Sequence, residues 1–299
     1  MTSSITPSLR AVLAEARFAG KAVGHFNISN LESFHAIYNA AKALNVPVII
    51  GVSEGERDFV GVKEAVAIVK AVREGDNYPI FINADHTYSF ERVKEAIDAG
   101  YDAVIIDAAK LPVEENIALT KQCVDYAHTV KEATGRDILV EAEMGYIGTS
   151  SKILEVLPEG VDAAHLTTAE DAANFTTKTG VDLFAPSVGN VHGIILSGQP
   201  KLNIDRIKEI KAATSTPLVL HGASGITSDD LKNAVEAGIS IVHYNTELRV
   251  AFRDALRDAL KAAVTAHPDE VAPYKLMAPT IAAVQKVVDE KLRIMNRME

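Results

Sequence analysis

Eight short apolar runs, each followed by a longer stretch of helical period, constrain what this chain can fold into. They are Val23–Asn27, Val46–Val52, Tyr78–Asn83, Asp102–Asp107, Ile138–Glu143, Leu183–Val188, Pro217–His221 and Ser240–Asn245. Short, continuous and rich in Val and Ile, they read as strands covered on both faces. Between them apolar residues recur at helical spacing, as in Phe90, Val93 and Ile97, in Ile117, Thr120 and Val124, and in Leu231, Val235 and Ile239. Helices are expected to end at Gly100, Gly180 and Gly238, the residue that a left-handed cap favours. Eight strand-then-helix units predict an α/β fold, a (β/α)8 TIM barrel, rather than an open sheet. An opening helix (Pro7–Phe18) and a closing helix (Thr280–Met295) lie outside the units. No Pro/Gly/Ser linker interrupts the 299 residues, so residues 1–299 are read as a single barrel domain.

Charge and cysteine content narrow the partners. Forty acidic residues against 30 basic ones give a formal charge of −10, which repels phosphate backbones and acidic membranes. No nucleic acid and no membrane partner is expected. No apolar run approaches a membrane span, and the start MTSSITPSLR lacks a signal peptide's apolar core. Cys123 is the single cysteine, which excludes a disulfide framework, and it reads as inert packing in a helix. A cytoplasmic globular protein is expected.

Barrel chemistry sits where strands end, and polar residues collect there. Asn27, Ser53, Asp85-His86, Asp107, Glu143, His192, His221 and Asn245-Thr246 fall at successive strand ends. Three histidines from different strands, with Glu143 nearby, suit a catalytic zinc site that leaves a position open. The remaining histidines (His25, His35, His128, His165, His243 and His267) default to structural roles. Gly193 and the Gly222–Gly225 loop bring backbone N–H groups close to an anion, and Thr246 opens a helix, so a phosphate is expected at these adjacent strand ends. No strand contains a lysine, and Lys110 comes nearest, which favours metal over imine chemistry. Asp85 is read either as an acid/base or as a carboxylate orienting His86. The charge run from Arg249 through Asp258 reads as a solvated helix face. The long connection from Gly145 to Leu166 reads as a lid.

These motifs resemble the class II, metal-dependent ketose-bisphosphate aldolases, including the fructose- and tagatose-bisphosphate enzymes. The likeness runs from GHFNISNLES through ADHTYSFERVKEAIDAGYDAVIID, VEAEMGYIG, VGNVHG and PLVLHGASGI to NTELRVAFRDAL. The resemblance implies zinc on His86, His192 and His221, with Glu143 at an alternative or second metal position, and Asp85 as the proton-transferring acid/base. It implies that Gly193, Ser224, Asn245 and Thr246, with Gly222 beside them, hold the dihydroxyacetone-phosphate end, assisted by a monovalent cation (Na+ or K+). Asn27 and Ser53 would line the substrate pocket, and the chain would be a homodimer or higher homo-oligomer acting on a phosphorylated ketose. Fructose 1,6-bisphosphate is preferred; tagatose 1,6-bisphosphate, or a non-catalytic barrel subunit, is the alternative. Several positions depart from the family. Asn83 stands where His is common, Lys110 where the family has His, His243 where Asn is frequent, and His25 where a small residue is usual. The lid reads GTSSKILEVLPEG, leaving Glu155 and Glu159 as carbon-base candidates; Glu155 is preferred because Pro158-Glu159-Gly160 reads as an exposed turn.

Overall fold

The computed structural model describes residues 6–148, 151–161, 166–266 and 268–298. His165 and His267, and Thr149 and Ser150 of the lid, lie outside the described residues. The strands are β1 (Val23–Asn27), β2 (Val48–Ser53), β3 (Ile80–Thr87), β4 (Ala103–Ile106), β5 (Leu139–Met144), β6 (Ile153–Leu154), β7 (Leu183–Pro186), β8 (Ile194–Ile195), β9 (Leu218–Leu220) and β10 (Ile239–Tyr244). The helices are α1 (Leu9–Phe18), α2 (Leu31–Leu44), α3 (Glu54–Val60), α4 (Val62–Asp76), α5 (Phe90–Ala99), α6 (Val113–Thr134), α7 (Ala169–Thr179), α8 (Ile204–Ala213), α9 (Ser228–Ala237), α10 (Thr246–Ala266) and α11 (Pro273–Met295). Eight strands close into a parallel barrel, β1-β10-β9-β7-β5-β4-β3-β2, while β6 and β8 pair with each other outside it. This is the (β/α)8 barrel expected from the alternating runs.

Strand alternation sorts the side chains into two hydrophobic bodies. Outward residues such as Phe26, Ile50, Ile82, Val140, Phe184 and Val242 pack under the helices in the larger core. Inward residues at the strand starts, among them Val23, Ile49, Phe81, Leu139, Val219 and Ile241, form a separate core with Leu9, Val12 and Leu13 of α1. The opening helix therefore plugs the bottom of the barrel. Two residues further along, five of the eight strand positions turn polar, with buried His25, Asn83, Glu141, His221 and His243.

The structure revises three details of the sequence reading. Strand β3 does not stop at Asn83 but continues through Asp85 and His86 to Thr87. Ile239 begins β10 instead of ending the preceding helix. Helix α11 starts at Pro273 and runs through Pro279, which reads as a helix breaker in isolation but is carried here by packing against α10.

Gly51 shows how tightly the polar interior is built. A Cβ there would lie 2.1 Å from Cε1 of His25. Gly51→Ala should destabilise the fold by about 1–3 kcal/mol through overpacking, measured by urea unfolding. Combining it with His25→Ala should cost less than the sum of the two single changes; simple additivity would mean that the imidazole is not what excludes the methyl group.

Candidate active site and metal centre

Consecutive strand residues point to opposite faces, so Asp85 and His86 could not both face the interior of a regular strand. A bulge resolves the conflict. Ala84 pairs with Val104 but Thr87 pairs with Ile106, so β3 carries one residue more than β4 over this interval. His86 adopts a left-handed φ of 40°, an uncommon conformation for a residue with a side chain. The extra residue brings Asp85 and His86 to one side.

His86, His192 and His221 come together, with ligand atoms within 4.8 Å of one another. Each ring is oriented from behind. Nδ1–H of His86 donates to Asp107 Oδ2 at 2.9 Å, and Nδ1–H of His192 donates to the Gly148 carbonyl at 2.8 Å. Nε2–H of His221 donates to Glu141 Oε1 at 2.6 Å. These bonds leave Nε2 of His86, Nε2 of His192 and Nδ1 of His221 free. The His221 Nδ1 and His86 Nε2 atoms face each other at 3.4 Å. Two nitrogens bound to one tetrahedral zinc at ~2.0–2.1 Å would stand about 3.4 Å apart. That spacing and the donor set fit a zinc ion, which would take the place of a proton shared between these two nitrogens.

Burial and the neighbouring imidazoles hold His192 and His221 at about 3, so both are neutral donors. Burial would lower His86 too, but Asp85, Asp107 and Glu143 outweigh it and raise it to about 10. Burial also opposes ionisation of Asp85, yet His86 and His243 hold it well below the usual carboxylate range. Asp85 Oδ2 accepts from Asn27 Nδ2 at 2.8 Å. Glu143 is buried, pushed well above its usual range by that burial, and lies 4.0 Å from Nδ1 of His86. It therefore groups with Asp107 behind His86, apart from the three facing nitrogens.

The inner part of the cleft is lined by Asn27, Asp85, His86, His192, Gly193, His221, Gly222, Ser224, Asn245 and Thr246, all expected from the sequence, together with Ser151, His243 and Tyr244. The loop after β9 and the start of α10 are tied together here. Ser224 Oγ accepts from the N–H of Glu247 in the first turn of α10, and Glu247 Oε1 accepts from the N–H of Gly225. Gly222 has φ 61°, and a Cβ on it would meet the Val191 carbonyl at 2.6 Å, so only glycine lets these loops approach. An outer lobe of about 450 Å³ is lined by Ser53, Tyr88, Asp107, Lys152 and Arg249, among others.

Some placements differ from the sequence reading. Arg249 is not part of a purely solvated face: it borders the cleft and bonds Glu56 Oε1 at 2.7 Å, because it falls one turn after Thr246 on α10. Glu155 is exposed just after β6, and Glu159 is exposed as well. Among the described residues of the Gly145–Leu166 segment, Ser151 and Lys152 line the cleft. Lys110 is exposed on the loop after β4. His25 and His243 are not ordinary hydrogen-bonded core histidines. Their rings stack at 3.5 Å and 6°, and none of their nitrogens has a hydrogen-bond partner. Although both lie near Asp85, parallel stacking sets their lone pairs side by side rather than converging, which is poor geometry for a shared metal.

The sequence matches the family described as "Fructose-bisphosphate aldolase class-II" over residues 7–299. A fructose-bisphosphate aldolase of Geobacillus stearothermophilus is 39% identical over 289 residues, covering 96% of this chain and 95% of that protein. One from Staphylococcus epidermidis is 38% identical, with 96% of each covered. The crystal structure of the YdjI aldolase from Escherichia coli K12 aligns with a TM-score of 0.79 at 28% identity, covering 96% of both chains.

The hydrogen bonds behind the imidazoles give a direct test. Asp107→Ala and Glu141→Ala should each weaken binding of added zinc about 10–100-fold, the usual effect of losing a ligand's orienting partner. Competition with a chelating dye reads this, and parental affinity in both variants would refute the orientation assigned to His86 and His221.

Proposed function

The chain belongs to the class II fructose-bisphosphate aldolase family and is a lyase of that class, and we propose that it is a zinc-dependent enzyme cleaving fructose 1,6-bisphosphate reversibly to dihydroxyacetone phosphate and glyceraldehyde 3-phosphate. The observation that carries the reading is the convergence of three imidazoles, each held by a hydrogen bond from behind, beside the buried carboxylate of Asp85. Zinc held by His86, His192 and His221 supplies Lewis acidity toward a ketose carbonyl. Asp85 takes the proton of the C4 hydroxyl as the C3–C4 bond breaks, and returns it in condensation. Asn27 keeps the carboxylate aimed at that hydroxyl. Gly193, Gly222, Ser224, Asn245 and Thr246 bind the phosphate of the dihydroxyacetone half at the start of α10, where a monovalent cation assists. Lys152 and Arg249, the cations lining the outer lobe together with Ser53, bind the second phosphate.

Glu155 is proposed to exchange the carbon-bound proton after the lid closes, since it stands outside the cleft in this conformation. A cytoplasmic setting agrees with the buried Cys123 thiol, which burial pushes up to about 12, and with the lack among the described residues of a helix able to cross a membrane. A homodimer or higher homo-oligomer agrees with the exposed Leu260, Val264, Val271 and Tyr274 on and between α10 and α11.

Asp85→Ala should lower turnover of fructose 1,6-bisphosphate about 10²–10⁴-fold with zinc content retained. Coupled loss of metal and substrate binding would make Asp85 a structural group. Faster cleavage of tagatose 1,6-bisphosphate by the parent would reassign the substrate, and absence of cleavage of either sugar would favour the non-catalytic alternative.

Solvent-hydrogen exchange into dihydroxyacetone phosphate isolates the carbon proton. Glu155→Gln should slow it while zinc binding persists; an unchanged rate in both Glu155 and Glu159 variants would place the base elsewhere.

A further inference from the structure

A buried carboxylate outside every motif touches both parts of the cleft. Glu56 lies in the first turn of α3 and is 7% exposed. Its Oε2 accepts the N–H and hydroxyl of Ser53 and one N–H of Asn27, each at 2.8 Å. Its Oε1 accepts from Arg249 Nη2 at 2.7 Å. The same Asn27 nitrogen donates its second hydrogen to Asp85 Oδ2. An amide set between two carboxylates must present its NH2 group to both, since a flipped oxygen would face acceptors on either side.

Building on the aldolase reading, we propose that Glu56 is a positioning residue: it fixes the orientation of Asp85 through Asn27, and it holds Arg249 over the outer lobe to receive the distal phosphate of the ketose. Capping α3 requires only the contacts to Ser53. The bonds to Asn27 and Arg249 go beyond that need. Proton transfer demands a carboxylate within hydrogen-bond reach of the hydroxyl, and a displacement of about 1 Å can cost as much as 10²-fold in rate. The Arg249 side chain is 48% exposed, so without an anchor it would have to be ordered by each incoming substrate. One Nη2 hydrogen given to Glu56 leaves its other N–H groups for an anion.

The two oxygens can be tested separately. In Glu56→Gln, the amide oxygen can take the place of Oε2 and keep Ser53 and Asn27, which leaves the NH2 group facing Arg249. That variant should keep most of the parental kcat and raise KM for fructose 1,6-bisphosphate about threefold to tenfold. Glu56→Ala should additionally lower kcat about 10–10²-fold at unchanged zinc content. Adding Asn27→Ala to Glu56→Ala should lower kcat little further, and adding Glu56→Gln to Arg249→Ala should leave KM where Arg249→Ala alone puts it. Parental kcat in Glu56→Ala, or equal kcat losses in the Ala and Gln variants, would overturn the link to Asp85. Parental KM in Arg249→Ala would overturn the link to the distal phosphate. A parent that cleaves no ketose bisphosphate would refute the aldolase reading itself, and the proposal with it.

Discussion

A hydrogen bond behind each imidazole is the constraint on which the site depends. His86 leans on Asp107, His192 on the Gly148 carbonyl and His221 on Glu141. Each acceptor comes from a different part of the barrel: the loop after β4, the chain leaving β5, and β5 itself. The ring nitrogens can converge only while those segments keep their register, so the closed sheet is a condition of the chemistry as well as its support. The bulge at His86 belongs to the same constraint, since it lets neighbouring residues present an acid and a ligand to one space.

The arrangement is costly. Buried Asp85, Glu141, Glu143, His25 and His243 all carry atoms with no hydrogen-bond partner, gathered in the upper half of the barrel. Unpaired buried polar atoms destabilise a fold. The apolar layer below them, closed by Leu9, Val12 and Leu13 of α1, offsets part of this by burying the bottom of the barrel completely. The interior is divided between a lower half that holds the fold together and an upper half shaped for binding.

Much of this was legible in the sequence, for definite reasons. Continuous apolar runs with glycine at the intervening helix ends read as closely spaced parallel strands, and polar residues at their ends stand out against Val and Ile. Asp85, His86, His192 and His221 were visible on that ground. The bulge was not, because nothing in Ala-Asp-His-Thr marks an extra residue until the register with β4 is known. Arg249 read as part of a solvated helix face and Glu56 carried no signal of its own, since the partners of Glu56 lie 29 and 193 residues away, at Asn27 and Arg249 respectively. Glu141 was hidden inside a strand, where alternation rather than chemistry decides which way it points. Glu155 was preferred because Pro158-Glu159-Gly160 reads as an exposed turn, and turn chemistry at Glu159 cannot show that Glu155 is exposed as well.

The pairing of β6 with β8 joins the segment after β5 to the chain just beyond His192. The same segment supplies Gly148, the acceptor that orients the His192 ring, and the Ile147 carbonyl, which takes the His192 N–H at 2.9 Å. Displacing this segment would therefore loosen the hold on His192 as well. In the zinc-enzyme reading proposed above, an outward swing would release that imidazole and open a route by which the ion could leave. Occupancy of the cleft, by holding the segment down, would then lengthen the residence time of the metal.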